Sequence, residues 1–249
     1  MALAFAEPQV IEIATQEKPL GVDVSRYQGV IDWGKLSTMA QWVYMRCGIS
    51  WGYEDTFFKG NALFAEKYGV PWGAYHVIYS GQGAQRQADN ILRIMGGNFG
   101  NLPLALDMEV ALNQAPNVIT NEILQVAQII EKESGKKPIL YSRANWIDAW
   151  TLTGSWRNEF DWWLAQYLSS GVEHAGPPNL PKGVTRDRCI IHQTSDRGNG
   201  KLYGVQSASI DLNRWQLSQS ALSAFLYGSG VVELTMEERV ARLEKAVFG

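Results

Sequence analysis

In the run LPLALDMEV, residues 102–110, two carboxylates, Asp107 and Glu109, interrupt an apolar stretch. On a strand, positions i and i+2 face the same way, with Cα atoms roughly 6 to 7 Å apart. Two carboxylates on one face of a buried strand are costly unless they are solvated, paired or used. Two further acids interrupt comparable runs, Asp23 in GVDVS (21–25) and Asp211 in SIDLNRW (209–215). Such a cluster leaves three readings open. Acid catalysis at a glycosidic bond needs one carboxyl kept protonated and one ionised, which crowding supplies. A divalent metal also suits four oxygens, but the three His show no HxxEH or HxH spacing and phosphate-binding features are absent. Ordinary surface or cap carboxylates are the bland reading, and they suit a lone DxE better than one embedded in an apolar strand with two partners. Nucleophilic alternatives are weaker: Ser80 lies in YSGQG, without the GxSxG pattern, and Cys47 has no charged partner in view.

Elements must hold these acids. Eight β-rich runs recur with turn residues between them, at 21–25, 42–48, 72–79, 102–110, 138–142, 161–167, 189–194 and 209–215. Several are apolar almost throughout, as strands buried on both faces of a parallel sheet are. Helical signals lie between the early runs. Asp55 or Thr56 starts one helix that Gly69 and Pro71 stop, residues 85–95 end at Gly96 and Gly97, and Asn117 or Thr120 opens a longer one closed near Gly135. Strand then helix, repeated, predicts a parallel α/β barrel or a doubly wound sheet. Residues 169–187, with three Pro, read as a loop, so about five βα units precede three strands with little helix. If eight strands close, first and last are neighbours, and Asp23 and Asp211 meet beside one another facing Asp107 and Glu109. In parallel barrels the carboxyl ends of the strands build the active site.

The 249 residues suit one large domain or two small ones. With 22 Lys and Arg against 25 Asp and Glu, the net charge of −3 argues against nucleic acid as partner. Two Cys are too few for a disulfide framework. No run is long and apolar enough for a membrane span, and the first 20 residues lack the charged and apolar regions of a secretory signal. Ten Trp are the unusual number, and core packing explains them more often than sugar stacking does. Near the end, Met236, Val240, Leu243 and Val247 at heptad spacing predict an amphipathic helix over 234–248. It either packs on its own domain or associates with a second copy.

Taken in order, GVDVSRYQGVIDW, YMRCG, GVPWGAYHVIYS, LPLALDMEV, PILYS, WWLAQY, HQTS and IDLNRW resemble glycoside hydrolase family 25, the Chalaropsis-type lysozymes, over about residues 19–217. The resemblance implies an irregular, flattened (β/α) barrel that hydrolyses the β-1,4 bond between N-acetylmuramic acid and N-acetylglucosamine in bacterial peptidoglycan, without metal or other cofactor. By position, Glu109 matches the general acid and Asp107 its acidic partner, while Asp23 and Asp211 match the other two acids of the family's site. Tyr75 matches an aromatic lining the pocket, and Tyr141, Trp163 and Gln166 are candidate sugar contacts. His192 stands where many members carry Trp, on one wall of the groove, and is a further candidate substrate contact. The expected division is an extension over 1–18, the barrel over 19–217, and a linker with the amphipathic helix over 218–249. A phage endolysin, held in the host cytoplasm before release onto the wall, fits the missing signal, as does an extracellular protein. The alternatives are a non-catalytic glycan-binding or phage structural protein on the same scaffold, and a metal-dependent hydrolase.

Overall fold

The computed structural model describes residues 18–228. Its strands are β1 (Leu20–Val24), β2 (Val43–Ile49), β3 (Tyr53–Glu54), β4 (Trp72–Tyr79), β5 (Ala105–Val110), β6 (Ile139–Ser142), β7 (Trp162–Ala165), β8 (Cys189–Asn199) and β9 (Ser209–Trp215). The helices are α1 (Trp33–Met39), α2 (Phe58–Lys67), α3 (Ala84–Met95), α4 (Pro116–Ser134), α5 (Ala144–Trp150) and α6 (Gln219–Tyr227). The sheet runs β1-β9-β8-β7-β6-β5-β4-β2-β3, and β1 also pairs with β2, so eight strands close into a barrel with β3 outside it. Closure removes the doubly wound alternative. Helices follow β1, β2, β4, β5 and β6, the five expected units, and the segment after β7 is a loop.

Besides β3, which pairs antiparallel with β2 outside the barrel, one barrel strand departs from the parallel expectation. The last, β9, is antiparallel to both β8 and β1. Only residues 200–208 separate it from β8, too few for a crossover, so the chain returns as a hairpin. The β8 strand also continues past residue 194 to Asn199.

Side-chain parity explains the two-sided core. Leu104, Leu106 and Met108 pack outward with Ile123, Val126 and Ile130 of α4, whereas Ala105 belongs to an inner cluster with Tyr44, Ile139, Tyr141, Trp163 and Trp215. Asp107 and Glu109 therefore face the lumen. Small residues make room for the inner aromatics: a Cβ on Gly21 would lie 2.0 Å from the Trp42 ring, and one on Gly73 2.6 Å from Tyr44.

Helix starts differ in detail from the pattern. Asp55 accepts from the Phe57 amide but also binds Arg46, so α2 begins only at Phe58. Pro116, whose fixed φ suits the first helical position, opens α4. Gly96 and Gly135 close α3 and α4 in the left-handed conformation. Past residue 217, α6 buries Leu222 and Leu226 in the inner cluster, with the Phe225 ring 5.0 Å from Trp215. Residues 1–17 and the amphipathic segment 234–248 lie outside the described residues.

Candidate active site

At the carboxyl ends of the parallel strands the lumen carries a ring of polar side chains. Register aligns Asp23 of β1 with Asp211 of β9, and Asp107 of β5 with Tyr141 of β6, which in turn aligns with Trp163 of β7. The expected juxtaposition of first and last strands thus holds, although β9 runs the other way.

A hydrogen-bond chain sets the floor. Trp163 Nε1, which only donates, bonds to Asn213 Oδ1 at 2.7 Å, so the Asn213 amide nitrogen must turn toward Asp23, to which it donates at 2.9 Å. Tyr141 donates to Gln193 Oε1 at 2.8 Å, and that leaves the Gln193 amide nitrogen to face Asp23 at 3.0 Å and Asp211 at 3.3 Å. Both amides therefore point a donor at Asp23, and that of Gln193 reaches Asp211 as well. Beneath them Trp163 packs against Tyr44 and Tyr141, with ring centroids 4.9 and 4.7 Å away, and edge-on to Tyr75 at 6.3 Å.

All four acids are shifted toward the protonated form. Burial pushes Asp23 up, and the amides of Asn213 and Gln193 hold it back. Burial and then the adjacent Asp23 charge push Asp211 up to about 9, so Asp211 keeps its proton at neutral pH. Asp107 is pushed well above the usual range by burial and then by Glu109, and its Oδ1 is buried with no hydrogen-bond partner among the described residues. Glu109 is also raised, by burial first; Arg143 opposes this, its Nε 3.7 Å from Oε1. The Glu109 side chain is 36% exposed, the most open of a cluster in which Asp23 and Asp107 are buried.

Linkage gives these shifts a measurable sign. Between the ordinary 3.8 and about 9, the folded chain keeps a proton at Asp211 that the unfolded chain releases, so stability falls as pH rises through that window. Asp211→Asn retains the shape and a donor for Asp23 without that cost. It is expected to stabilise the protein by on the order of 2 kcal/mol at pH 8, roughly 4 to 8 °C in unfolding temperature, and by less at pH 5. Thermal unfolding at the two pH values checks this, and a variant with the parent's pH slope would contradict it.

Two expected contacts are relocated. His192 points away from the lumen: it is 1% exposed, its Nε2 donates to the Gln166 carbonyl at 2.8 Å, and burial pushes it down to about 4, so it is neutral and ties β8 to the end of β7. The expectation of a sugar contact there is corrected by strand parity, because Gln193 takes the inward position. Trp163, 2% exposed, lies under the tyrosines rather than beside a ligand. Gln166 lines a groove, but its amide is engaged by the Asn179 amide and by His174. Tyr75 and Tyr141 do flank the acids.

The sequence reading passed over Gln193, Asn213, Arg143 and Tyr167. Gln193 and Asn213 stand in HQTS and IDLNRW at positions that alternate with outward-facing residues, and Tyr167 ends WWLAQY. Arg143 and Tyr167 follow β6 and β7, and their side chains stack with Cζ 4.8 Å from the ring centroid. With Asn145, Gln166 and Asn179 they border a groove, which Arg143 links to Glu109.

Comparison with known proteins adds a family. The model described as glycosyl hydrolases family 25 matches residues 22–201. A curated relative, the uncharacterized protein YegX of Escherichia coli, is 28% identical over 214 residues, covering 84% of this chain and 73% of its own. Lysozyme M1 of Streptomyces globisporus is 25% identical over 218 residues, 82% of this chain and 70% of its own. Among solved structures, the bacterial lysozyme from Streptomyces coelicolor superposes with a TM-score of 0.71 at 22% identity, over 87% of this chain and all of that one. The CTP1L endolysin superposes with 0.68, also at 22%, over 83% of this chain and 69% of that one.

Proposed function

The chain belongs to glycosyl hydrolases family 25 and is a glycoside hydrolase, and from that premise we propose that it is an N-acetylmuramidase cleaving the β-1,4 bond after N-acetylmuramic acid in bacterial peptidoglycan. The observation that carries this reading is the placement of Asp107 and Glu109 on one lumen face, backed by Asp23 and Asp211, at the open end of the barrel. Glu109 is the proton donor: it is the open carboxyl, and its surroundings raise its proton affinity. An i, i+2 pair on one strand is poorly placed to straddle a sugar ring. Attack on the anomeric carbon is therefore assigned to the substrate's own acetamido oxygen, with Asp107 orienting that group. The biological role proposed is wall lysis, as by an endolysin.

Purified bacterial wall is the test substrate. Incubation is expected to release new reducing ends on muramic acid, with retained configuration at the first turnover by NMR, and with activity persisting in EDTA. Reducing ends on glucosamine, or inversion, would overturn the bond or the mechanism. Full inhibition by EDTA with recovery on adding a divalent ion would favour the metal-dependent alternative. Intact glycan would favour the non-catalytic one.

A further inference from the structure

Arg143 follows β6 directly and reaches the rim beside the proton donor. Its guanidinium lies against the Tyr167 ring, and Nη2 contacts the Tyr167 hydroxyl. Toward Glu109 the contact is long, 3.7 Å from Nε to Oε1, beyond hydrogen-bond range. Neither Nε nor Nη1 donates to any acceptor among the described residues, and the side chain is 48% exposed. The other guanidinium near the carboxyls, Arg46, is buried and bonded to Asp55. Stacking fixes the plane of Arg143 while leaving donors open, an arrangement suited to a planar anion.

The groove beyond Arg143 is built rather than incidental. Asn179 donates its amide to Gln166, and Lys182 donates its amide to Asp148, so the 168–187 loop is anchored along one wall. Asp148, an acid in the same groove, is neutralised by Arg157 at 2.8 Å. Glu109 carries no charge in its proton-donating state, so the positive charge of Arg143 is then uncompensated.

On the muramidase reading, the sugar next to the scissile bond carries a lactyl group that neutral N-acetylglucosamine lacks. We propose that Arg143 binds a carboxylate carried by that muramyl residue, and that the groove bordered by Asn145, Gln166, Tyr167 and Asn179 receives the chain attached there. The carboxylate is either the free lactyl group of peptide-free glycan or one on the stem peptide. Both offer the planar anion that the open guanidinium edge takes.

Three substrates separate these sources: wall glycan with its stem peptides, glycan stripped by an amidase so that the lactyl carboxylate is free, and the stripped glycan with that carboxyl converted to a neutral methylamide. KM and kcat are measured for the parent, Arg143→Gln and Arg143→Lys at the plateau of each pH profile, because loss of Arg143 also raises the proton affinity of Glu109. The parent is expected to favour an anionic glycan over the methylamide by about tenfold or more in kcat/KM. Arg143→Gln is expected to remove that preference mainly through KM, and Arg143→Lys to restore part of it. Dependence on Arg143 confined to peptide-bearing glycan assigns the stem carboxylate, and dependence on the stripped glycan assigns the lactyl one. Equal losses on all three substrates, or an altered pH profile alone, would overturn the proposal. A parent that cleaves none of them would overturn the muramidase reading instead.

Discussion

Glu109→Gln is expected to lower kcat on bacterial wall by about a thousandfold, in the range that a positioned general acid contributes, with the fold intact. Gln is nearly isosteric but cannot donate the proton that a leaving alkoxide requires. Neither Asp107 nor Asp211 replaces it, because Asp107 is buried and burial together with the Asp23 charge holds the proton on Asp211. The stability cost is small for two reasons. The ion pair with Arg143 is long and joins two partly exposed side chains, 36% and 48%, so its loss costs at most about 1 kcal/mol. Burial also opposes the Glu109 charge, and the amide escapes that opposition. Reducing-end release, measured beside thermal unfolding, checks both halves. Turnover at the parent rate would remove Glu109 from the chemistry, and an unfolded variant would leave Glu109→Asp as the decisive one, folded and slow through a misplaced proton.

Much of this site was legible because period-two alternation survives in single strands. In LPLALDMEV the apolar positions 104, 106 and 108 alternate with 105, 107 and 109, and the structure sorts them onto the outer and inner faces in that way. Barrel closure then placed Asp23 beside Asp211 whichever way β9 runs, since register between neighbours needs no common direction. What stayed hidden depends on partners far away in sequence. Gln193 and Asn213 are ordinary amides until Trp163 and Tyr141 dictate which end of each faces the acids. His192 read as a wall residue because it replaces an aromatic, yet an irregular register between β7 and β8 at Trp162 and Trp163 obscures parity there. The seven-residue helices α1 and α5 are too short to show a periodic stripe. The Trp count resolves toward packing: Trp42, Trp72, Trp162, Trp163 and Trp215 are all buried, while Trp51 is half exposed under Arg86.

Asp107→Asn is the second large effect expected, a loss of about a hundredfold to a thousandfold in kcat, comparable to removing one preorganised electrostatic partner of a transition state. Asp107 Oδ1 is buried and finds no donor among the described residues, an arrangement that costs stability unless substrate completes it. The acetamido N–H of the sugar is a donor of the right kind, and accepting from it turns the acetamido oxygen toward the anomeric carbon. An amide at this position can set an N–H where the lone pair was needed, and it cannot gain charge as the attacking group becomes cationic. Folded stability should move the other way. Burial and Glu109 raise Asp107 far above its ordinary range, so the parent is penalised as pH rises from the ordinary carboxylate range toward neutrality, and Asn removes that penalty. A more stable, slower enzyme is the combined signature. N-deacetylated glycan isolates the cause, because it lacks the group that Asp107 is assigned to orient. The parent should lose most of its rate on that glycan, and Asp107→Asn should lose little more, a non-additive cycle expected of two partners in one interaction. Equal proportional losses on acetylated and deacetylated glycan would place Asp107 outside that interaction and return the attack on the anomeric carbon to a protein carboxylate or to water.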